Sequence, residues 1–219
     1  MFGVAAAVKS FSAIESKNQA VQEANKRKLE AEIALLKSQI NPHFLLNTLN
    51  NIYTLSLTNK GTESNTILKL SEMMKYILNE CTQDTVSLQS DISFLENYLS
   101  LQRLRLAPNV GLTIRLPNNV PSDLFIEPMV LISFIENPFK HGITTAKECD
   151  IEISIRLEGN RLNLLVKNDI VGRDTKPTDY SGMGLANTQK RLEHTYPSSH
   201  SLIIDSTNDS YQVNLTIDL

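Results

Sequence analysis

The apolar positions of the first half of the chain fall at helical spacing. Leu29, Ile33, Leu36 and Ile40 recur at steps of four, three and four, the a/d seam of a coiled coil. Lys26-Arg27-Lys28, Glu30 and Glu32 supply the solvated faces. From Ser16 to Leu57 there is no glycine, and the one proline is Pro42. Thr58 to Gly61 reads as a turn. Ile67, Leu70, Met74, Ile77 and Leu78 form a second stripe, closed by Thr82-Gln83-Asp84. Leu88, Ile92, Leu95, Leu99 and Leu106 form a third. Helices in series with short turns predict an antiparallel helical hairpin.

The pattern changes near Pro108-Asn109. Gly111–Leu116 alternates as a half-buried strand does, and Ile126–Ile143 returns to helical spacing. Two alternating runs, Ile151–Leu157 and Leu162–Val166, flank Gly159-Asn160 and predict a β-hairpin. Asp169–Ser181 reads as a loop, Met183–Tyr196 as a helix, and Leu202–Asp205 with Tyr211–Leu219 as a closing hairpin. Mostly hairpin connections argue for an antiparallel or mixed sheet covered on one face by helices. The boundary between the helical and the mixed part is placed at about residue 107.

Composition narrows the function classes. Of 219 residues, 21 are Lys or Arg and 24 are Asp or Glu, a net charge of −3, which argues against a nucleic-acid partner. Two cysteines, Cys81 and Cys149, rule out a disulfide framework and fit a reducing compartment. The longest apolar runs, Val4–Val8 and Met129–Ile135, are far too short to span a bilayer. Met1–Val8 is read either as the stub of a membrane anchor or as a plain helix start. There is no Walker-type loop or His-Glu-x-x-His, and the four histidines lack metal-ligand spacing, which disfavours a P-loop NTPase or a zinc hydrolase.

Three segments carry candidate chemistry. In Gln39–Asn47 the apolar seam breaks at Pro42, which leaves His43 and Asn47 one turn apart on a face without apolar neighbours. A neutral imidazole on a rigid helix is a competent nucleophile, and the plain alternative is a surface histidine beside a kink. In Glu136–Gly142, Asn137, Lys140 and His141 lie at i, i+3 and i+4 on one helical face. An amide oxygen suits Mg²⁺, an ammonium and an imidazole suit phosphate, and Glu136 can orient or deprotonate a nucleophile. The alternative is a polar helix end capped by Gly142. In Ser181–Asn187, Gly182 and Gly184 stand before a helix, where close backbone approach and amide donors favour an anion. An ordinary loop-to-helix turn explains this last segment equally well.

Together and in this order the segments resemble the LytS-type sensor histidine kinases of two-component signalling. That family shows Gln-Ile-x-Pro-His-Phe-Leu-Phe-Asn-x-Leu-Asn around its phosphorylated histidine, and Gln39 to Asn50 match it apart from Leu46. Its Glu-Asn-Ala-x-Lys-His-Gly segment is matched by Glu136 to Gly142 except at Pro138. Its Gly-x-Gly-Leu-x-Asn-x3-Arg-Leu box is matched by Gly182, Gly184, Leu185, Asn187, Arg191 and Leu192. Leu70-Ser71 and Tyr98 to Gln102 with Arg105 also look like family positions.

The resemblance implies an α+β chain in three parts. Residues 1–28 would be a linker helix, 29–107 an antiparallel helical hairpin for dimerisation and phosphotransfer, and 108–219 a GHKL (Bergerat) α/β-sandwich ATPase domain. By the same resemblance His43 accepts the γ-phosphoryl group of ATP beside Glu136, and Asn137 holds Mg²⁺. Lys140 and His141 contact nucleotide, while Gly182, Gly184, Leu185 and Asn187 line its site. The partners implied are a second copy of the chain and the receiver domain of a response regulator. The expected setting is the cytoplasmic side of a bacterial inner membrane.

Three features depart from the family. The Asp-x-Gly-x-Gly adenine box is missing, and Asn168 best fits its acid, with Asp169 the runner-up. Pro138 removes a helix amide beside Asn137. The loop Ile170–Tyr180, in the place of the ATP lid, is short. These departures motivate a second reading, a nucleotide-responsive dimeric scaffold without catalysis.

Overall fold

The chain divides into two units, Met1–Leu49 and Asn50–Leu219. The computed structural model describes residues 63–141, 148–170, 180–207 and 209–219, all within the second unit. The Leu29–Ile40 seam, Pro42, His43 and most of the Ile170–Tyr180 loop lie outside the described residues.

Helix α1 spans Glu63–Asn79 and α2 spans Leu88–Arg103. The contacts between them run in opposite senses: Asn97 donates to Glu72, Tyr76 to Asp91, and Ser90 to Glu80. Rising numbers on one helix meet falling numbers on the other, so the pair is antiparallel. Tyr76 also stacks on Phe94, with ring centroids 4.7 Å apart. The inward stripe of α1 is Thr66, Leu70, Met73 and Ile77, one residue away from the expected phase at two positions. Ile67 and Leu78, expected inside, are 52% and 60% exposed. Tyr76 turns the helix this way, because its phenol reaches Asp91 and its ring reaches Phe94.

Helix α2 is buried on most sides. Leu88, Leu95 and Leu99 form its core stripe as their spacing predicts, and Phe94, Tyr98 and Leu101 are buried as well. Ser87 caps it, its Oγ accepting from the amide of Ser90 at 3.1 Å, and Asp91 places a carboxylate in the positive first turn. Leu106, expected to extend the stripe, lies beyond the helix end.

Two short strands, β1 (Val86–Ser87) and β3 (Phe125–Ile126), pair antiparallel and join the α1–α2 connection to the chain that leads into helix α3 (Ile132–His141). The apolar run from Ile126 was expected to be helical throughout. Its first residue is instead a buried strand residue opposite Val86, and the helix begins only at Ile132. Met129 explains the delay, since its φ of 64° lies in the left-handed region and interrupts any helix.

The main sheet has the order β2-β4-β5-β7-β6, with β2 (Val110–Arg115), β4 (Cys149–Glu158), β5 (Arg161–Asp169), β6 (His200–Ser206) and β7 (Ser210–Asp218). Only β2 and β4 are parallel, and α3 lies in the crossover between them. The β4–β5 hairpin turns at Gly159-Asn160, with positive φ at Gly159 alone, as a II′ turn requires. Ile153, Val166 and Val213 stand in one cross-strand row and are fully buried. The next row over, Glu152, Lys167 and Gln212, is polar. One apolar and one polar face is the alternation read from the sequence. Helix α3 packs on β5 and against helix α4 (Tyr180–Thr195). The described part is therefore α+β, a helical pair with a mixed sheet and its covering helices.

Candidate functional site

Helix α3 carries the second candidate segment. Phe134 and Ile135 are fully buried, which leaves Glu136 and Asn137 half-buried and Lys140 exposed at the rim. Lys140 Nζ donates to Glu136 Oε1 at 2.6 Å, an i,i+4 pair that ties the expected phosphate ligand to the expected base. Pro138 sits inside the helix, so Phe134 loses its i→i+4 amide donor there, yet the helix continues to His141. The side chain of His141 lies outside the described residues.

Asn168 closes the inner row of β5. It follows Leu162, Leu164 and Val166 on the buried face and is itself only 4% exposed. Its Nδ2 donates to the carbonyl of Asp169 at 2.9 Å, which fixes the amide and leaves Oδ1 as its acceptor. Asp169, the alternative for this position, faces the other way. Its Oδ2 accepts from the backbone amide of Asp150 across the strand at 2.8 Å.

Helix α4 starts at Tyr180, so Gly182 and Gly184 lie within its first turns and not ahead of it. Two glycines lower helix propensity by about 1 kcal/mol each, and tertiary anchoring of the rest of the helix overrides them. Leu192 and Thr188 are buried, Leu185 is half-buried and Asn187 is exposed. Because α3 packs on β5 and against α4, the three elements that carry Glu136 to Lys140, Asn168, and Gly182 to Asn187 are immediate neighbours.

A second cluster supports this group from behind and was assigned no role in the sequence. Arg191 on α4 donates from Nε to Glu127 Oε1 at 2.9 Å and from Nη2 to the carbonyl of Pro128 at 3.0 Å. Tyr196 Oη accepts from the amide of Glu127 at 2.8 Å. Asp91 Oδ1, on α2, accepts from Tyr76 Oη at 2.5 Å and from the amide of Met129 at 3.4 Å. Arg191 stood in the last family box, so its position was visible but its partner was not. Asp91 was signalled only as a lone acid inside an apolar stripe.

The electrostatics of that cluster follow from burial. The Asp91 carboxyl is pushed up to about 6 by desolvation, against the hydrogen bonds from Tyr76 and Met129, which favour its charged form. Glu80 adds to the rise and Arg191 opposes it. The Cys81 thiol is raised to about 12, first by burial and then by the Asp91 charge. The Tyr76 phenol is raised for the same two reasons. Farther along α2, burial and then the charge of Glu136 raise the Tyr98 phenol, which places Tyr98 in the field of the candidate base.

A stability prediction follows from Asp91. Native protein keeps a proton that the unfolded chain releases between about pH 4 and 6, so the group's contribution to stability falls as pH rises through that window. The full effect of a shift near two units is about 3 kcal/mol. Asp91→Asn has no proton to lose. Its stability relative to native should therefore improve by about 2–3 kcal/mol between pH 4 and 7 in urea unfolding. A difference that does not change with pH would refute this account of Asp91.

The chain is similar to known histidine kinases. The family model described as Histidine kinase matches residues 31–110. The sensor protein LytS of Staphylococcus epidermidis is 26% identical over 200 residues, covering 86% of this chain and 34% of that protein. The sensor histidine kinase BtsS of Escherichia coli is 28% identical over 183 residues, covering 83% of this chain and 32% of that protein.

The chain is similar to the LytS and BtsS sensor histidine kinases.

It spans about a third of the length of these relatives. Among solved structures, the histidine kinase domain of a blue-light activated kinase from Erythrobacter litoralis aligns over 85% of this chain and 92% of that one, with 11% identity and a TM-score of 0.47. Acinetobacter baumannii histidine kinase AdeS aligns over 83% and 96%, with 12% identity and a TM-score of 0.42. The residues expected to meet nucleotide fall on the adjoining elements α3, β5 and α4. No helix among the described residues is long and apolar enough to cross a membrane.

Proposed function

We propose that this chain is the catalytic portion of a sensor histidine kinase. It moves the γ-phosphoryl group of ATP onto His43 and passes it to an aspartate in the receiver domain of a response regulator. The observation that carries this reading is the order of three motifs, Gln39–Asn50, Glu136–Gly142 and Gly182–Leu192, combined with a fold that makes neighbours of the elements bearing the last two. We assign the phosphotransfer helices to 29–107 and nucleotide binding to 108–219, with 1–28 as the linker. The Leu29/Ile33/Leu36/Ile40 seam calls for a second copy to bury it, so the working form is a homodimer. The full-length protein is placed at the inner membrane with this portion in the cytoplasm.

Phosphoryl transfer asks the protein mainly for positioning and charge neutralisation. Lys140 and His141 would meet phosphate oxygens, with Lys140 leaving its pair with Glu136 to do so. That release would free the Glu136 carboxylate to act as the base or orienting group of the transfer. Gly182 and Gly184 would let the α4 backbone approach the phosphates, and Leu185 and Asn187 would border the same site. The donor set fits Mg²⁺. An amide oxygen, as at Asn137, suits a metal held chiefly by phosphates and water. When bound, Mg²⁺ would neutralise phosphate charge.

The test is incubation with labelled ATP and Mg²⁺, followed by assay for acid-labile, base-stable phosphate on the chain. A nucleotide-responsive scaffold is the second reading, favoured by Asn168 in the place of an acid and by Pro138 inside α3. Binding of ATP without any phosphohistidine would select it.

Asn168 gives a prediction of its own. Its amide oxygen accepts from the adenine amine without the charge assistance that a carboxylate supplies. Asn168→Ala should cost about 1–3 kcal/mol of ATP binding, because a buried base amine loses its partner. Asn168→Asp should bind at least as well as native. Equal affinity of native and Asn168→Ala by calorimetry would move the adenine contact elsewhere.

A further inference from the structure

The turn 127–131 launches α3 and is held from two sides. On one side Arg191 and Tyr196 fix Glu127 and Pro128. On the other, Asp91 Oδ1 accepts from the amide of Met129 while Tyr76 anchors the same oxygen. Met129 is the only non-glycine residue with positive φ among the described residues, at 64°. That conformation is unfavourable for a side chain of its size and persists only where surrounding contacts enforce it. Asp91 is 1% exposed, and its Oδ2 has no hydrogen-bond partner. A carboxylate buried at such cost must be offset by what its other oxygen holds.

We propose that Asp91 is a positioning residue for nucleotide binding: it holds Met129 in its left-handed conformation and thereby sets the start and direction of α3, which carries Asn137 and Lys140. The inference rests on the nucleotide-binding reading given above. It also makes Asp91 a link between the α1–α2 pair and that helix, because Tyr76 belongs to α1, Asp91 to α2 and Met129 to the turn. That link acts beside the β1–β3 pairing and the edge-on contact of Tyr98 with Phe139, and it is the one that bears on the φ of Met129.

Rescue separates positioning from a merely structural role. Without Asp91 the turn relaxes away from positive φ, and a glycine at 129 adopts that φ freely. In the full chain, Asp91→Ala should bind Mg²⁺-ATP about tenfold more weakly by calorimetry, the size expected from one released strained residue. Adding Met129→Gly should restore affinity to within about threefold, whereas it cannot refill a core defect at residue 91. If Asp91→Ala fails to fold, Met129→Val carries the test with Asp91 intact. Its β-branched side chain resists positive φ and should reproduce the loss. Native-like affinity in Met129→Val, or an Asp91→Ala loss that Met129→Gly does not mend, would overturn the proposal. If the native chain itself does not bind ATP, the kinase reading falls and the positioning role with it. If native and Asp91→Ala bind equally, only the positioning role falls.

Discussion

His43→Gln should abolish phosphorylation of the chain while leaving ATP binding within about twofold of native. The proposed reaction makes a phosphorus–nitrogen bond to an imidazole as the bond from the γ-phosphorus to its bridging oxygen breaks, and ADP departs. Glutamine keeps a polar side chain and good helix propensity at position 43, but its amide nitrogen has no nucleophilic lone pair. Loss of the nucleophile should therefore remove the product entirely, in contrast to the partial losses expected of groups that only orient. Binding should survive because the proposed nucleotide contacts lie at Glu136 to His141, Asn168 and Gly182 to Asn187, outside the His43 helix. Acid-labile phosphate at native level in His43→Gln would place the nucleophile elsewhere. The remaining histidines His141, His194 and His200 would then be replaced in turn.

Much of the fold could be read from periodicity, and the failures have particular causes. The β4–β5 hairpin was legible because Gly159-Asn160 is a strong turn signal between two alternating runs, and the structure pairs Glu158 with Arg161 around it. Helix α2 was legible because Leu88, Ile92, Leu95 and Leu99 repeat without interruption. The start of α3 was not, because Ile126 and Val130 fit a helical stripe equally well. Only the pairing with Val86 and the positive φ at Met129 end the pattern there, and both are tertiary facts. The phase of α1 was misjudged for a related reason. Ile67 and Leu78 are as apolar as Leu70 and Ile77, and a single-sequence stripe cannot show that Tyr76 must reach Asp91.

The candidate site shows the same division. Helical spacing was enough to put the segment with Asn137, Lys140 and His141 on a helix, and the end of an alternating run was enough to put Asn168 at the close of a strand. What spacing could not show is the support behind them. Arg191 to Glu127 spans 64 residues and Asp91 to Met129 spans 38, and neither pair leaves a local trace. Choosing between Asn168 and Asp169 was likewise beyond the sequence, since a one-residue register shift exchanges the two faces of a strand. The structure puts Asn168 inward and engages Asp169 with the backbone of Asp150.

Asn137→Ala should remove Mg²⁺-dependent phosphorylation with little effect on folding. Asn137 is half-buried on α3, next to the rim pair Glu136–Lys140. Alanine is the better helix former, so the substitution offsets any small packing loss locally. The loss should fall on the metal. A magnesium ion held mainly by phosphates and water depends on each protein oxygen for its placement, and an alanine methyl offers none. Activity should drop by about a hundredfold or more, as it does when an electrostatic stabiliser of the transition state is removed. Two measurements separate this from general damage. Circular dichroism and the urea midpoint should match native to within about 0.5 kcal/mol. ATP affinity measured without Mg²⁺ should be nearly unchanged, whereas the gain in affinity that Mg²⁺ gives the native chain should vanish. Full activity of Asn137→Ala across a Mg²⁺ titration would show that the amide does not serve the metal, and Asn187 on α4 would be the next side-chain oxygen to replace.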